Sequence, residues 1–180
     1  MDPCLLILDV DETLIYATEF ALSARHDFVV GPYYVHCRPG LKSFLLSCNK
    51  YYRLAIWSSG SRDYIDQIIE NIRPAEVEFD FVWSRERCVR RFNPETYSDY
   101  HVKDLKKVKR LGYSLDRILV VDDTPQKLER HYGNLIKIPE FTGDLSDECL
   151  HKLSVYLELI KDEVNFRQLD KRGWLFNRGK

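Results

Sequence analysis

The sequence predicts an α/β protein built on a central parallel sheet with helices on both faces. Continuous aliphatic runs recur along the chain: CLLIL (4–8), RLAIW (53–57), RILVV (117–121) and NLIKI (134–138). Runs without polar alternation belong to strands buried on both faces. Between them lie stretches with apolar residues three and four apart, the period of a helix packed along one side. Three of the runs also end in polar residues: Asp9-x-Asp11, Ser58-Ser59-Gly60 and Asp122-Asp123. In open α/β sheets, ligand sites lie outside the carboxyl ends of the strands.

Each element has its own local signal. After the first strand, FVV (28–30), the turn GP and YYVHC (33–37) read as a hairpin. RPGLKSFLLSC supplies a helix, with Pro39 near its first turn and Leu41, Phe44, Leu45 and Cys48 on one face. After the second strand, SRDYIDQIIENI is a helix N-capped by Ser61, its apolar face made of Tyr64, Ile65, Ile68, Ile69 and Ile72. FDFVW (79–83) reads as a strand, and RFNPETYSDYH (91–101) as a loop or irregular insertion. VKDLKKVKRLG is a short helix ended by Gly112, and Thr124-Pro125 caps a helix after the third strand. Ser146 opens a last helix, with Leu150, Leu153, Leu157 and Ile160 three and four apart. The tail from 164 to 180 carries Phe166, Leu169, Trp174, Leu175 and Phe176, too apolar to be purely solvated. It is expected to dock on the body or on a partner. The expected organisation is a single domain over 1–180, with a small insertion at about 74–101.

Composition removes several function classes. With 27 basic and 28 acidic residues, the near-neutral chain has no global field to draw it to nucleic acid or an anionic membrane. The five cysteines are scattered and form no CxxC, against a disulfide framework or a zinc site and in favour of reduced thiols in a cytoplasmic setting. The apolar start is broken by Asp9, unlike a signal peptide, and no stretch is long enough to span a bilayer. No membrane partner is expected.

The acidic strand ends carry the chemistry. In an extended segment residues i and i+2 point the same way, so Asp9 and Asp11 share a neighbourhood, and Asp122 and Asp123 add charge from another strand. Unpaired, such a cluster costs several kcal/mol or holds a proton. A divalent cation resolves the conflict, and oxygen ligands without His or Cys suit Mg²⁺. The competing reading, that each aspartate is a turn former or helix cap, accounts for one of them but poorly for two pairs beside a hydroxyl-glycine turn.

DVDETL resembles the first motif, DxDxT/V, of the haloacid dehalogenase (HAD) superfamily of phosphatases. DVDETLI, RPGLKSFL, RERCV, HVKDL and VVDDTP follow the order and approximate spacing of its small CTD-phosphatase branch, over about residues 4–160. That branch dephosphorylates Ser and Thr in proteins, including the tail of RNA polymerase II. The resemblance implies a HAD-like three-layer sandwich with a small β insertion and no large cap domain.

It also implies roles. Asp9 would be the nucleophile that forms an aspartyl-phosphate, and Asp11 the acid–base group. Ser58 would hold a phosphoryl oxygen, with Ser59 and Gly60 adding backbone N–H donors. Lys103 would balance phosphate and carboxylates, Thr13 would fix the motif loop, and Arg85 would contact phosphate or substrate. Asp9, the Asp11 backbone carbonyl and Asp122 or Asp123 would hold Mg²⁺. Many members of the branch have Asp-Asn where this chain has Asp122-Asp123; Asp123 is expected as the direct ligand, with Asp122 holding Lys103 or a metal-bound water. Arg87, Arg90 and Arg91 would extend a basic rim. Lys106, Lys107, Lys109 and Arg110 read as a solvated helix face, and Glu12 as a loop residue beside the site.

The function expected is a Mg²⁺-dependent phosphoprotein phosphatase directed at phospho-Ser/Thr. The alternatives are a HAD phosphatase of small molecules or nucleic-acid 3′-phosphates, and a catalytically weak protein-binding module of the same fold.

Overall fold

The computed structural model describes residues 4–22 and 25–176. In chain order the elements are β1 (Leu5–Leu8), β2 (Ile15–Thr18), β3 (Phe28–Val30), β4 (Tyr33–Cys37), α1 (Leu41–Cys48), β5 (Arg53–Trp57), α2 (Arg62–Ile72) and β6 (Phe79–Trp83). They continue with β7 (Val89–Asn93), β8 (Ser98–Val102), α3 (Lys106–Lys109), β9 (Ile118–Asp122), β10 (Leu135–Lys137) and α4 (Cys149–Ile160).

Five strands form one parallel sheet in the order β10-β9-β1-β5-β6. β1 is central because all four of its residues are aliphatic, and none is exposed. Strand periodicity then divides them: Leu6 and Leu8 face one apolar cluster, Leu5 and Ile7 the other. β5 and β9 do the same, with Leu54, Ile56, Leu119 and Val121 on the first side and Ala55, Trp57, Ile118 and Val120 on the second. The first side is covered by α1, α2 and α4, the second by the single-turn α3 and the irregular segment carrying Leu128. This is the predicted three-layer sandwich with unequal outer layers. Among the described residues no helix is long and apolar enough to cross a membrane, and all five cysteines are free.

Two small antiparallel sheets are added to this frame. β2, β4 and β3 form a three-stranded sheet inserted between β1 and α1. β7 and β8 form a hairpin where a loop or irregular segment is expected for 91–101. That hairpin was hidden because it buries little: Arg90, Arg91 and Phe92 are exposed, so the strand lacks an apolar face. β2 begins two residues after Thr13, and its four residues carry no pattern that separates them from the acidic loop.

Helix starts also differ from expectation. After Thr124 the chain makes one 3-10 turn (Pro125–Leu128) instead of a longer helix, and the Thr124 hydroxyl bonds Asp123 instead of capping. α4 begins at Cys149, not at Ser146; Asp147 Oδ1 accepts the Cys149 N–H at 2.8 Å, while Ser146 bonds Asp144. The carboxylate competes better than a hydroxyl for a free helical N–H, being charged.

Parts of the tail pack on the body, but Val164 and Phe176 stand exposed, against the expectation for Phe176; residues 177–180 lie outside those described. Phe166 and Trp174 are buried in the larger cluster, and Trp174 Nε1 donates to the Lys137 carbonyl at 2.8 Å. Trp174→Phe keeps most of the packing and strands that carbonyl. A loss of about 1–2 kcal/mol is expected from the shift in urea midpoint.

Candidate active site

β1 lies between β5 and β9, so the ends of these three strands meet without any help from long loops. The Asp9 N–H donates to the Val121 carbonyl at 3.0 Å, and the Ser58 N–H to Trp83 at 2.9 Å. The sheet ladder therefore continues past the strand ends and fixes the first residues of each polar segment.

Five charges occupy the crevice. Asp9 Oδ2 accepts from Lys127 Nζ at 2.6 Å, and Asp9 Oδ1 lies 2.8 Å from Lys103 Nζ. Lys103 also donates to Asp122 Oδ2 at 2.6 Å. Lys127 Nζ is 3.4 Å from Asp122 Oδ1 and 3.5 Å from Asp123 Oδ1. Asp9, Asp122 and Lys103 are buried. Burial alone would raise the Asp9 carboxyl, but the Lys103 and Lys127 ammonium groups outweigh it and hold it well below the usual carboxylate range. Asp122 is raised, by burial first and then by the Asp9 charge, against the pull of both lysines. Asp9 is thus the carboxylate kept ionised, the state a nucleophile needs.

Asp11 is set differently. Its carboxyl turns away from Asp122 and Asp123: Oδ1 accepts from Tyr64 Oη at 2.6 Å and Oδ2 from Ser58 Oγ at 3.4 Å. Burial raises its pKa, opposed by the Tyr64 hydrogen bond and reinforced by the Asp9 charge. Two carboxyls two residues apart therefore receive opposite protonation preferences, the pattern of a nucleophile beside an acid–base group.

The loop after β5 completes the crevice. Ser58 Oγ accepts the Gly60 N–H at 2.9 Å, and a Cβ on Gly60 would lie 3.0 Å from the Tyr64 ring and 3.1 Å from Ile65. A larger residue here would force the Tyr64 and Ile65 side chains to give by a few tenths of an ångström. Arg85 Nε donates to the Ser59 carbonyl at 2.7 Å and its N–H to Gly60 at 2.9 Å. A cleft of about 350 Å³ opens here, lined by Asp11, Glu12, Tyr33, Gly60, Tyr64 and Arg85.

Thr13 is buried; its Oγ1 donates to Asp123 Oδ1 at 3.4 Å and its carbonyl accepts from Arg38 Nη1 at 3.0 Å. Arg38, fully enclosed, forks onto Asp147 at 2.9 and 2.8 Å. The motif-one loop is thereby tied to the start of α4. Glu12 adopts a left-handed φ of 56°, and its carbonyl accepts from Phe141 at 2.7 Å. Burial, with Asp11 and Asp123 beside it, pushes its carboxyl up to about 7. More than a loop residue, it forms part of the cleft wall.

The structure brings Asp9, Asp122, Asp123 and Lys103 together, places Asp11, Gly60 and Arg85 along the adjoining cleft, and holds Ser58 buried behind Asp11. Arg87 lies over the Trp83 ring, Arg90 pairs with Asp99, and Lys106, Lys109 and Arg110 are exposed. Two site residues escaped sequence reading. Lys127 is one; its signal was the i,i+4 spacing from Asp123, obscured because 124–128 read as an ordinary capped helix. Tyr64 is the other, counted on the apolar face of α2 although its hydroxyl reaches Asp11.

Asp9, Asp122 and Asp123 each offer an oxygen within 4.8 Å of the others. All donors are hard carboxylate oxygens, gathered at the ends of two neighbouring strands. These residues fit a divalent cation.

The model of the NLI interacting factor-like phosphatase family matches residues 4–167. The chain belongs to that family. Its relatives include nuclear envelope morphology protein 1 of Schizosaccharomyces pombe, 27% identical over 91% of this chain and 34% of the relative. Another is the human carboxy-terminal domain RNA polymerase II polypeptide A small phosphatase 1, 27% identical over 87% of this chain and 59% of the relative. The chain thus spans less than two thirds of each relative's length. The solved structure of Fcp1, an essential RNA polymerase II CTD phosphatase, shares the fold with a TM-score of 0.57 at 23% identity, over 99% of this chain and 55% of that one.

Proposed function

We propose that this chain is a Mg²⁺-dependent phosphoprotein phosphatase, directed at phospho-Ser/Thr and working through a phosphoryl group carried on Asp9. The observation that carries the reading is the split between Asp9 and Asp11: one carboxyl held ionised between two ammonium groups, the other held toward its protonated form beside Tyr64.

Asp9 attacks phosphorus in line, and the bond to the leaving alcohol oxygen breaks. Asp11 gives its proton to that oxygen, then takes one from the water that attacks the aspartyl-phosphate, releasing inorganic phosphate. Ser58 and N–H groups of the loop entering α2 would meet the phosphoryl oxygens, the Gly60 N–H being held by Ser58 Oγ until the phosphate takes its place, and Lys103 keeps Asp9 and Asp122 in register. Mg²⁺, held by Asp9 and Asp123 with Asp122 and the Asp11 backbone carbonyl, would shield the repulsion between carboxylate and phosphate. Asp122 is bound by the Lys103 ammonium at 2.6 Å and by the Thr124 N–H, whereas Asp123 is held by two neutral hydroxyls, one of them at 3.4 Å, and the weaker hold favours Asp123 as the direct ligand.

The open cleft beside Asp11 admits a phosphorylated segment of a larger chain, and its relatives include a named polymerase-tail phosphatase. Hydrolysis of a phosphopeptide panel, set against phosphorylated metabolites and nucleotide 3′-phosphates with Mg²⁺ or with EDTA, tests this. Phosphopeptides are expected to be preferred, with activity lost in chelator; a metabolite preference would transfer the reading to small-molecule chemistry.

Tyr64→Phe supplies a pH test. The Tyr64 hydrogen bond lowers the Asp11 pKa against burial, so its removal raises that pKa further. Rate falls as pH rises and the acid loses its proton, so the alkaline limb of the pH–rate profile is expected at higher pH in the variant. A limb unmoved or shifted to lower pH would contradict the acid–base role.

A further inference from the structure

Lys127 helps to hold Asp9 ionised, but its position conflicts with the cation that the phosphatase reading requires. Its Nζ sits 2.6 Å from Asp9, 3.4 Å from Asp122 and 3.5 Å from Asp123, the three carboxylates that group as a cation site. With oxygens within 4.8 Å of one another, that group holds one cation at its centre, and two positive charges cannot share it. Lys103 is different: wholly buried, it lies between Asp9 and Asp122 and touches no other carboxylate.

The attachment of Lys127 also differs from that of Lys103. Its backbone is fixed, since its carbonyl accepts the Lys103 N–H at 2.7 Å. Its side chain, however, stands on a one-turn 3-10 segment, spans the edge of the crevice and is 16% exposed. A four-carbon stem of this kind has a route to water that the Lys103 side chain lacks. Three carboxylates and two ammonium groups leave one net negative charge here, so the extra acid, Asp123, is offset by a base one helical turn away.

We propose that Lys127 is a displaceable counter-cation: its ammonium fills the divalent-cation seat between Asp9, Asp122 and Asp123, and the metal binds by driving it out toward solvent. The proposal rests on the metal reading given above. Its consequence is a phosphatase whose metal affinity is set lower than its carboxylates alone would give, and whose crevice keeps a single net negative charge between metal-binding events.

Two measurements test it. Calorimetric titration of Mg²⁺ into the wild type and Lys127→Met at one neutral pH is expected to show about tenfold or greater tightening in the variant, the scale of a removed contact charge. Lys127→Met with unchanged or weaker affinity, while the wild type binds Mg²⁺, would overturn the proposal and leave the metal reading standing. Absence of Mg²⁺ binding in both proteins would overturn both. In case the variant does not fold, labelling of the wild type by an amine-reactive reagent, read by peptide mass spectrometry, decides. Lys127 labelling is expected to rise several-fold with Mg²⁺ at matched ionic strength, with Lys103 unlabelled throughout. Labelling that stays level or falls would overturn the displacement.

Discussion

Asp9→Asn is expected to lower aryl-phosphate hydrolysis by about four orders of magnitude or more, since a neutral amide cannot form the phosphoryl adduct. Asp9 is buried at the end of the central strand, with one oxygen bonded to Lys127 and the other facing Lys103. Asparagine keeps the shape and one acceptor oxygen, so the strand end and its N–H bond to Val121 are retained. The charge is not retained, and both lysines lose an anionic partner in a buried site, a change of a few kcal/mol. Circular dichroism and thermal unfolding must therefore accompany the assay. A folded variant with activity within tenfold of the wild type would remove Asp9 from the chemistry.

The second large effect is on stability. Arg38→Met is expected to destabilise the fold by about 3–5 kcal/mol, because Asp147 would keep its charge with its bidentate partner gone. Arg38 is fully enclosed, bonds the Thr13 carbonyl and lies over the Phe141 ring, so its loss loosens the motif-one loop as well as α4. The pH dependence has a definite sign. Burial raises the Asp147 carboxyl, but the Arg38 hydrogen bonds and the Cys149 N–H lower it by more, leaving it below its ordinary value. A depressed folded pKa contributes stability that is present above the unfolded value, near pH 4, and is lost as pH falls through the folded one. The wild type is thus expected to lose stability below about pH 4 more steeply than Arg38→Met. Equal acid slopes would show that the pair contributes little.

The parts of this molecule that were legible in its sequence are those where one physical signal dominates. LLIL, RLAIW and RILVV are apolar without alternation, and only a doubly covered sheet buries such strands. Their polar ends declared the crevice because paired carboxylates closing a buried strand are costly unless a cation or ligand offsets them. The hairpin at 89–102 was illegible since most of it stands in solvent, with Val102 alone fully buried, and exposure erases the pattern that marks a strand. Lys127 and Tyr64 were obscured for a different reason. Each sits in a segment with an adequate ordinary reading, a capped turn and an apolar helix face, and only the fold shows which of their atoms reach Asp9 and Asp11. The same holds for Arg38, whose role depends on Asp147, more than a hundred residues away.

The most direct test of this mechanism is to find the phosphoryl group on the protein. Wild-type protein mixed with excess aryl phosphate and Mg²⁺, quenched in acid within one turnover and digested, is expected to carry phosphate on the peptide containing Asp9, with none in Asp9→Asn. Full turnover with no adduct at Asp9, or an adduct on a different residue, would contradict it.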